Sequence, residues 1–387
     1  MIERATGHRE QSTGYPRVRL NESAMREGMQ IESVNISTQD KLQLLDALTR
    51  TGIEQIEVGS FVSPRWTPQM SDIDQLVTQV TPVEGTRLTA IALNDKGRER
   101  RSRWMPPLEH DLLPPLLAAH LCATFLRRNV NRNREEEFAA WPTIVEAAVE
   151  RGTEEAAIGV AAAWGSNFEG KFSLDQRMEV LESAHDAWTR AGVPVTWVWF
   201  ADPMSWCLPH EVEQQLDAVL TRWPHIRNVH LHLHDARGMA LPSIYAALRA
   251  LDESFTLQLD VSAGGIGGCP YCGNGRATGM APTEDVVHML DGMGIPTGVD
   301  LDNLIDAVHL LDRILGRSTM GHVSKAGPRP DGNALYDPNL PFVETHEQAL
   351  HFCDGPSVAA GGLSPWTEPI PDARPGARNS SGSDDGT

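Results

Sequence analysis

The chain has 387 residues, a formal net charge of −19 and 41% apolar residues. This length fits one large domain with appendages or two smaller domains, and the acidic balance argues against nucleic acid as the main partner because phosphate binding requires a basic surface. Five Cys at irregular spacing do not make a disulfide framework. The lack of an apolar leader and of an apolar run of roughly 18 residues favours a cytoplasmic protein that does not bind membranes.

Short apolar runs typical of strands alternate with longer amphipathic segments typical of helices, after a polar and irregular start at residues 1–16 that we expect to be a flexible arm. The eight predicted strands are residues 18–21, 53–58, 88–92, 116–122, 155–160, 195–200, 228–233 and 256–261. Eight strand–helix units over about 250 residues favour a (β/α)8 TIM barrel over an open doubly wound sheet.

The main predicted helices are residues 38–51, 135–151, 175–191, 209–222, 241–251, 283–293 and 300–315. An insert at 98–115 is expected to form a loop and helix between the third and fourth strands. The catalytic barrel is therefore expected over residues 17–317. A C-terminal helical and irregular appendage should follow at 318–371, and the polar residues 372–387 predict a disordered tail.

Three histidines alternate with apolar residues in the seventh strand, at positions 230, 232 and 234. On a strand such a spacing points His230, His232 and His234 to one face, where imidazoles can bind a divalent metal. A row of hydrogen-bonded core histidines is the structural alternative. Asp235 follows at the strand end and could orient a ligand.

Charged residues also follow the first strand and interrupt the second. In a TIM barrel the active residues gather at the carboxyl ends of the strands, which is where Arg26 and Glu27 are expected. Glu57 lies inside an apolar run, so its charge needs a partner. A surface ion pair is the alternative for Arg26 and Glu27.

The eighth strand leads into a glycine-rich loop that contains Cys269 and Cys272. A single CxxC is a weak zinc or redox signal, and one reactive Cys in the loop is the better interpretation. The basic cluster at 127–134 could bind phosphate or be a solvated face. The chain has four lysines, which makes imine chemistry improbable.

These motifs resemble the 3-hydroxy-3-methylglutaryl-CoA lyase family, within the metal-dependent DRE-TIM barrel group that includes isopropylmalate and homocitrate synthases. The matching segments are residues 26–30, 60–66, 232–235, 267–271 and 283–285. The resemblance implies cleavage of a 3-hydroxyacyl-CoA to an acyl-CoA and a ketone or keto acid, with Mg²⁺ or Mn²⁺ as cofactor.

The resemblance also implies roles for single residues. Metal ligands would be Glu27, His232 and His234. Arg26 would steady an enolate, Glu57 would orient Arg26, and Cys269 would be the loop acid. Substrate contacts are expected from Gln30, Ser60 and Asn129. The base that removes the hydroxyl proton would be Glu27, His232 or Asp235.

Two departures from the family pattern stand out. Glu27 occupies the position of an Asp ligand, and Met280 follows the glycine that an Asn ligand follows in the family, after a loop that is two residues longer. A thioether is a poor ligand for a hard cation, so Asn274 or water is expected to complete the site.

The same residues leave two other functions open. A synthase would run the chemistry in reverse and condense an acyl-CoA with a 2-keto acid, whereas the cysteine loop favours a lyase. A non-catalytic barrel that binds a ligand is the third hypothesis, supported by Met280. We expect a homodimer or higher homo-oligomer.

Overall fold

This computed structural model describes residues 14–272 and 279–335. The chain divides into two compact units, Met1–Lys325 and Ala326–Thr387. Of the second unit only residues 326–335 are described, with one short 3-10 turn at Gly332–Ala334. The predicted tail and most of the predicted arm lie outside the described residues.

Eight parallel strands form the sheet of the first unit, as predicted. They are β1 Arg17–Glu22, β2 Gln55–Ser60, β3 Arg87–Ile91, β4 Leu116–His120, β5 Ala156–Ala161, β6 Val195–Asp202, β7 Asn228–Leu233 and β8 Thr256–Val261. Their order is β3-β2-β1-β8-β7-β6-β5-β4, so β8 pairs with β1 and the sheet curls into the TIM barrel.

The described residues contain no ladder between β3 and β4, the two ends of the sheet order. The insert between these strands bonds to β3 and β5. Glu109 N donates to Leu88 O of β3 at 2.7 Å, and Ala157 N of β5 donates to Pro115 O at 2.9 Å. Backbone groups of the insert are thus satisfied by the edge of β3 and by the strand that pairs with β4.

The helices surround this sheet. They are α1 Thr38–Thr49, α2 Ile73–Gln79, α3 Asp95–Ser102, α4 Ala123–Val130, α5 Arg134–Ala139, α6 Trp141–Glu150, α7 Leu174–Arg190, α8 Pro209–Arg222, α9 Ala240–Ala250, α10 Thr283–Gly292, α11 Leu301–Leu315 and α12 Val323–Ala326. None of the helices in the described part of the chain is long and apolar enough to cross a membrane.

The prediction of one helix over 135–151 is wrong, because the structure has α5 and α6 there. Pro142 stands in the first turn of α6, where its missing N–H costs nothing, whereas within one continuous helix it would remove a hydrogen bond. The observed fourth strand, β4, is also shorter than the predicted 116–122. Cys122, the last residue of the predicted range, is instead the N-cap of α4, and its Sγ accepts from Phe125 N at 3.2 Å.

The first unit extends past residue 317 to Lys325 because this segment is hydrogen-bonded to the barrel. Met320 N donates to Gly264 O at 2.9 Å. The carboxylate of Asp285 on α10 accepts from His322 N at 2.9 Å and from Val323 N at 2.7 Å. These bonds explain why the compact unit ends later than the composition of the sequence predicts.

Two buried acids hold the turn Ala263–Gly265 that follows β8. Glu22 accepts from Ala263 N at 3.0 Å and from Thr283 Oγ1 at 2.6 Å, and burial raises its pKa to about 6. Glu284 accepts from Gly264 N at 2.9 Å, and burial raises its pKa to about 7. Both side chains position the start of the glycine-rich loop.

Glu284→Gln should flatten the dependence of stability on pH. The pKa of Glu284 rises from 4.5 to about 7 on folding, so the folded state holds the proton more tightly and loses stability as the pH rises through this interval. The loss is on the order of 3 kcal/mol. Urea unfolding at pH 5 and pH 8 measures it. Glu179→Gln, at an exposed position of α7, is the control that keeps the parent's dependence. Equal pH dependence in Glu284→Gln and the parent would contradict the assignment.

Candidate active site

Three predicted metal ligands meet at the carboxyl ends of β1 and β7. Glu27 lies in the turn Ala24–Gly28 after β1, His232 lies on β7, and His234 follows β7. All three are buried, and one ligand atom of each lies within 4.8 Å of the others. Two imidazole nitrogens and one carboxylate oxygen form a donor set that suits a divalent transition metal such as Mn²⁺.

Asp260 on β8 hydrogen-bonds to His232 and orients this proposed ligand. Its carboxylate is 2.8 Å from His232 Nδ1 and 2.9 Å from His230 Nε2, and it accepts from Asn21 Nδ2 at 2.7 Å. Burial alone would raise the pKa of Asp260, but the two imidazoles hold it well below its usual value. An ionised Asp260 accepts the Nδ1 proton of His232 and leaves Nε2 as the metal-binding nitrogen.

Arg26 is held between two carboxylates at the rim. Its Nε donates to Glu57 Oε2 and its Nη1 donates to Glu27 Oε2. Ser23 Oγ lies 3.4 Å from Glu57 Oε2. Burial raises the pKa of Glu57 while Arg26 opposes the rise. Glu57, the charge in the second strand that was predicted to need a partner, is therefore paired with Arg26.

A cavity of about 500 Å³ brings the predicted site residues together. Those that line it are Arg26, Glu27, Gln30, Glu57, Ser60, Asn129, His232, His234 and Cys269. The polar groups of β1, β2, β7 and β8 form one side of the cavity. The opposite wall carries mostly apolar residues, among them Ile91, Leu116 and Phe125.

Two predicted site residues are not placed in the cavity wall. Asp235 accepts from Ala240 N at 2.7 Å and so satisfies the first turn of α9. Its carboxylate lies outside the set of residues that line the cavity. The backbone bends after β7, and the side chain follows the helix start and not the strand face. Asn274 falls outside the described residues.

Met280 lies beside the proposed ligands. Its backbone forms an isolated antiparallel bridge with His234, and its side chain is buried. Gly267 has a φ of 126°, and a Cβ there would lie 3.0 Å from Met280 Cγ and 3.4 Å from Glu27 O. The Met280 side chain thus packs closely against Gly267 of the glycine-rich loop.

The loop with Cys269 is anchored by contacts that the sequence did not predict. Arg128 Nε of α4 donates to Tyr271 O at 2.8 Å, and Asn167 Nδ2 donates to Cys272 O at 3.1 Å. Asn167 is itself held by Trp206 Nε1 at 3.0 Å. These bonds place the half-buried Cys269 in the cavity wall.

Asp260 and His120 are polar cavity residues that sequence reasoning missed. Asp260 interrupts the apolar eighth strand, the same signal that identified Glu57 in the second strand. His120 ends the fourth strand, where an active residue of a barrel is expected. Both could have been found by applying these two rules to every strand.

The chain matches the family model described as HMGL-like over residues 17–311. It belongs to the HMGL-like family. The hydroxymethylglutaryl-CoA lyase YngG of Bacillus subtilis is 30% identical over 304 residues, which are 78% of this chain and 95% of that protein. The (R)-citramalyl-CoA lyase of Chloroflexus aurantiacus is 32% identical over 321 residues, which are 80% of this chain and 95% of that protein.

A solved structure agrees with this assignment. An HMG-CoA lyase from Acinetobacter baumannii, in complex with coenzyme A and 3-methylmalate, superimposes with a TM-score of 0.68 at 28% identity. The match covers 84% of this chain and 99% of that one. Lyases of the HMGL-like family depend on a divalent metal, and Glu27, His232 and His234 form a group that could hold one.

The double variant His232→Ala/His234→Ala should lose stoichiometric metal binding, because two of the three donor atoms are removed. Elemental analysis after equilibration with saturating Mn²⁺ and gel filtration measures it. His230→Ala is the matched control, since it lies on the same strand and contacts the same Asp260 but supplies no donor atom. One equivalent of Mn²⁺ retained by the double variant would overturn this site.

Met280→Asn should tighten Mn²⁺ binding, because an amide oxygen replaces a thioether next to His234. We expect a gain of roughly tenfold, the scale of a single change around a metal. Calorimetric titration measures the Kd, and Met280→Leu is the control that fills similar space without a donor. An unchanged Kd in the Asn variant would mean that another group completes the site.

Proposed function

We propose that this HMGL-like protein is a metal-dependent carbon–carbon lyase that cleaves a 3-hydroxyacyl-CoA by retro-Claisen chemistry to an acyl-CoA and a ketone or keto acid. One observation carries the proposal. A possible metal triad, a buried guanidinium and a thiol line the same cavity. Relatives named as HMG-CoA lyase and citramalyl-CoA lyase, both acting on CoA esters, support the reaction class.

The proposed metal is Mg²⁺ or Mn²⁺, and two imidazole ligands favour Mn²⁺ because Mg²⁺ prefers an all-oxygen site. When bound, a divalent cation would polarise the 3-hydroxyl of the substrate and lower its pKa. The residues that would hold it are Glu27, His232 and His234, with Asp260 fixing the tautomer of His232.

Glu27 is the residue to which we assign removal of the hydroxyl proton. The three predicted bases are distinguished by their contacts. Asp235 is bonded to Ala240 N, and the Nδ1 proton of His232 is committed to Asp260. Glu27 is bonded to Arg26 through Oε2, but its carboxylate lies in the cavity wall and keeps lone pairs on Oε1 that can accept a proton.

Arg26 would stabilise the thioester enolate that forms when the C–C bond breaks. The guanidinium is fixed by Glu57 and Glu27, so it needs no reorganisation as the negative charge develops on the enolate oxygen. The electron pair of the broken bond then takes a proton at carbon from the Cys269 thiol. Contacts to the polar groups of the substrate would come from Gln30, Ser60 and Asn129.

The reverse condensation and a non-catalytic barrel stay as alternative functions. The same groups could act on an acyl-CoA and a 2-keto acid, but the thiol in the cavity wall supports the lyase direction because cleavage requires a proton donor at carbon. The non-catalytic hypothesis depends on Met280. A cytoplasmic location and a homodimeric or higher assembly stay predictions.

Incubation with Mn²⁺ and a panel of 3-hydroxyacyl-CoAs, including the 3-hydroxy-3-methylglutaryl and citramalyl thioesters, should release a shorter acyl-CoA. Chromatography of the CoA esters measures release, and chelation of the metal should stop it. Cys269→Ala should lower kcat by about 10²-fold or more with a nearly unchanged melting temperature, because a proton donor is lost while the loop stays anchored through its main-chain oxygens.

Other outcomes would favour the alternatives. If the thioesters are inert while an acyl-CoA and a 2-keto acid condense, the protein is a synthase. If neither direction proceeds with metal bound, the non-catalytic barrel is correct. Full activity of Cys269→Ala would remove the thiol from the reaction.

A further inference from the structure

A carboxylate–imidazole pair lies in the cavity wall at the end of β4. His120 Nδ1 is 2.6 Å from Glu137 Oε1, and the backbone N of His120 donates to Glu137 Oε2 at 3.1 Å. Glu137 is buried on α5. Its two oxygens therefore fix both the backbone and the ring of His120, and Phe125 contacts the ring with centroids 5.4 Å apart.

The other ring nitrogen of His120 is available to a ligand. Among the described residues none hydrogen-bonds to Nε2, and protein does not enclose this atom as it encloses Nδ1 of His230. His120 lines the cavity. Because Nδ1 points to Glu137, the open Nε2 is the atom that a molecule in the cavity would meet.

His120 is separated from the proposed metal ligands. The strands β5 and β6 lie between β4 and β7, and β2 and β3 lie between β4 and β1 around the barrel. In a barrel of eight strands the end of β4 therefore lies across the cavity from β8, whose neighbours β1 and β7 carry the triad. A substituent that points away from a 3-hydroxyl held at the triad would approach His120.

Apolar residues line the same cavity as His120, and one of them, Phe125, contacts its ring. We call this set the apolar wall: Ile91, Leu93, Leu113, Leu116, Phe125 and Trp199. Other acids of the cavity are already paired, Asp260 with His230 and His232, and Glu57 with Arg26. A buried carboxylate–imidazole pair is costly in such a wall, so it is poorly suited to simple packing.

We infer that His120 determines substrate specificity by accepting a hydrogen bond at Nε2 from a hydroxyl on the acyl substituent that points away from the metal triad. The inference rests on the proposed function. In the tautomer in which Nδ1 donates to Glu137, the lone pair of the ring lies at Nε2, where it can accept from a hydroxyl. The apolar wall accommodates the carbons of the same substituent.

The test uses two CoA thioesters that differ in one group. The C3 methyl of 3-hydroxy-3-methylglutaryl-CoA is replaced by 2-hydroxyethyl in one and by n-propyl in the other, so the two have equal numbers of heavy atoms. The protein with Mn²⁺ should prefer the hydroxyethyl thioester by about tenfold or more in kcat/KM, since the apolar analogue leaves a buried acceptor unpaired.

Two substitutions of His120 distinguish the roles of its two ring nitrogens, Nδ1 and Nε2. His120→Gln carries an amide to the place of Nε2 and should keep a preference for the hydroxyethyl thioester. His120→Asn keeps an amide near Glu137 but withdraws the group at Nε2, so its preference should fall to about onefold. The ratio of the two kcat/KM values is the readout, because a general loss of folding lowers both values equally and leaves the ratio unchanged.

Three results would overturn the inference. They are an equal kcat/KM for both thioesters in the parent, a preference that survives in His120→Asn, and, in variants that keep the parent's melting temperature, a fall in kcat for both thioesters with an unchanged ratio, which would indicate proton transfer. If the parent cleaves neither thioester, the proposed function has failed. The preference is then measured as the ratio of the two Kd values by calorimetry with Mn²⁺, and a ratio near one overturns the inference independently.

Discussion

The site depends on one buried carboxylate. Asp260 on β8 stands level with Asn21 on β1 and His232 on β7 in the parallel ladders, so three adjacent strands bring their polar side chains together. The register of these ladders fixes the arrangement, because a slip of one residue would turn Asp260 away from the barrel interior. Held in this way, the carboxylate sets the tautomer of His232 and fixes its ring before any metal binds.

The sequence predicts the strands well because apolar residues recur at short intervals in each of them between turn residues, and the alternation of histidines correctly predicts one inward face. It predicts less where side-chain direction depends on the backbone after a strand. Asp235 adjoins a proposed ligand in the chain yet bonds to Ala240 N, and a single charge such as Asp260 is visible only once neighbouring strands are aligned. The predicted helix over 135–151 is two helices in the structure, with Pro142 in the first turn of the second, although the apolar periodicity continues across both.

Glu27 and Met280, the two positions at which the resemblance leads us to expect a departure from the family pattern, both lie beside Gly267 of the glycine-rich loop. Glu27 extends one methylene further than an aspartate, and Met280 carries a thioether in place of an amide. A longer carboxylate and a softer donor would change ligand reach and donor character together. Because both positions adjoin the same glycine, their effects on metal binding are best measured as a pair.

The loop that carries Cys269 is held through main-chain carbonyls. Arg128 donates a hydrogen bond to the main-chain oxygen of Tyr271, and Asn167 donates one to that of Cys272. Every residue type supplies such an oxygen. The side chain of Cys272 adds a buried contact with the core, and Tyr271 packs against the same core. A change at either distant anchor would therefore displace the Cys269 thiol without altering a single atom of the loop.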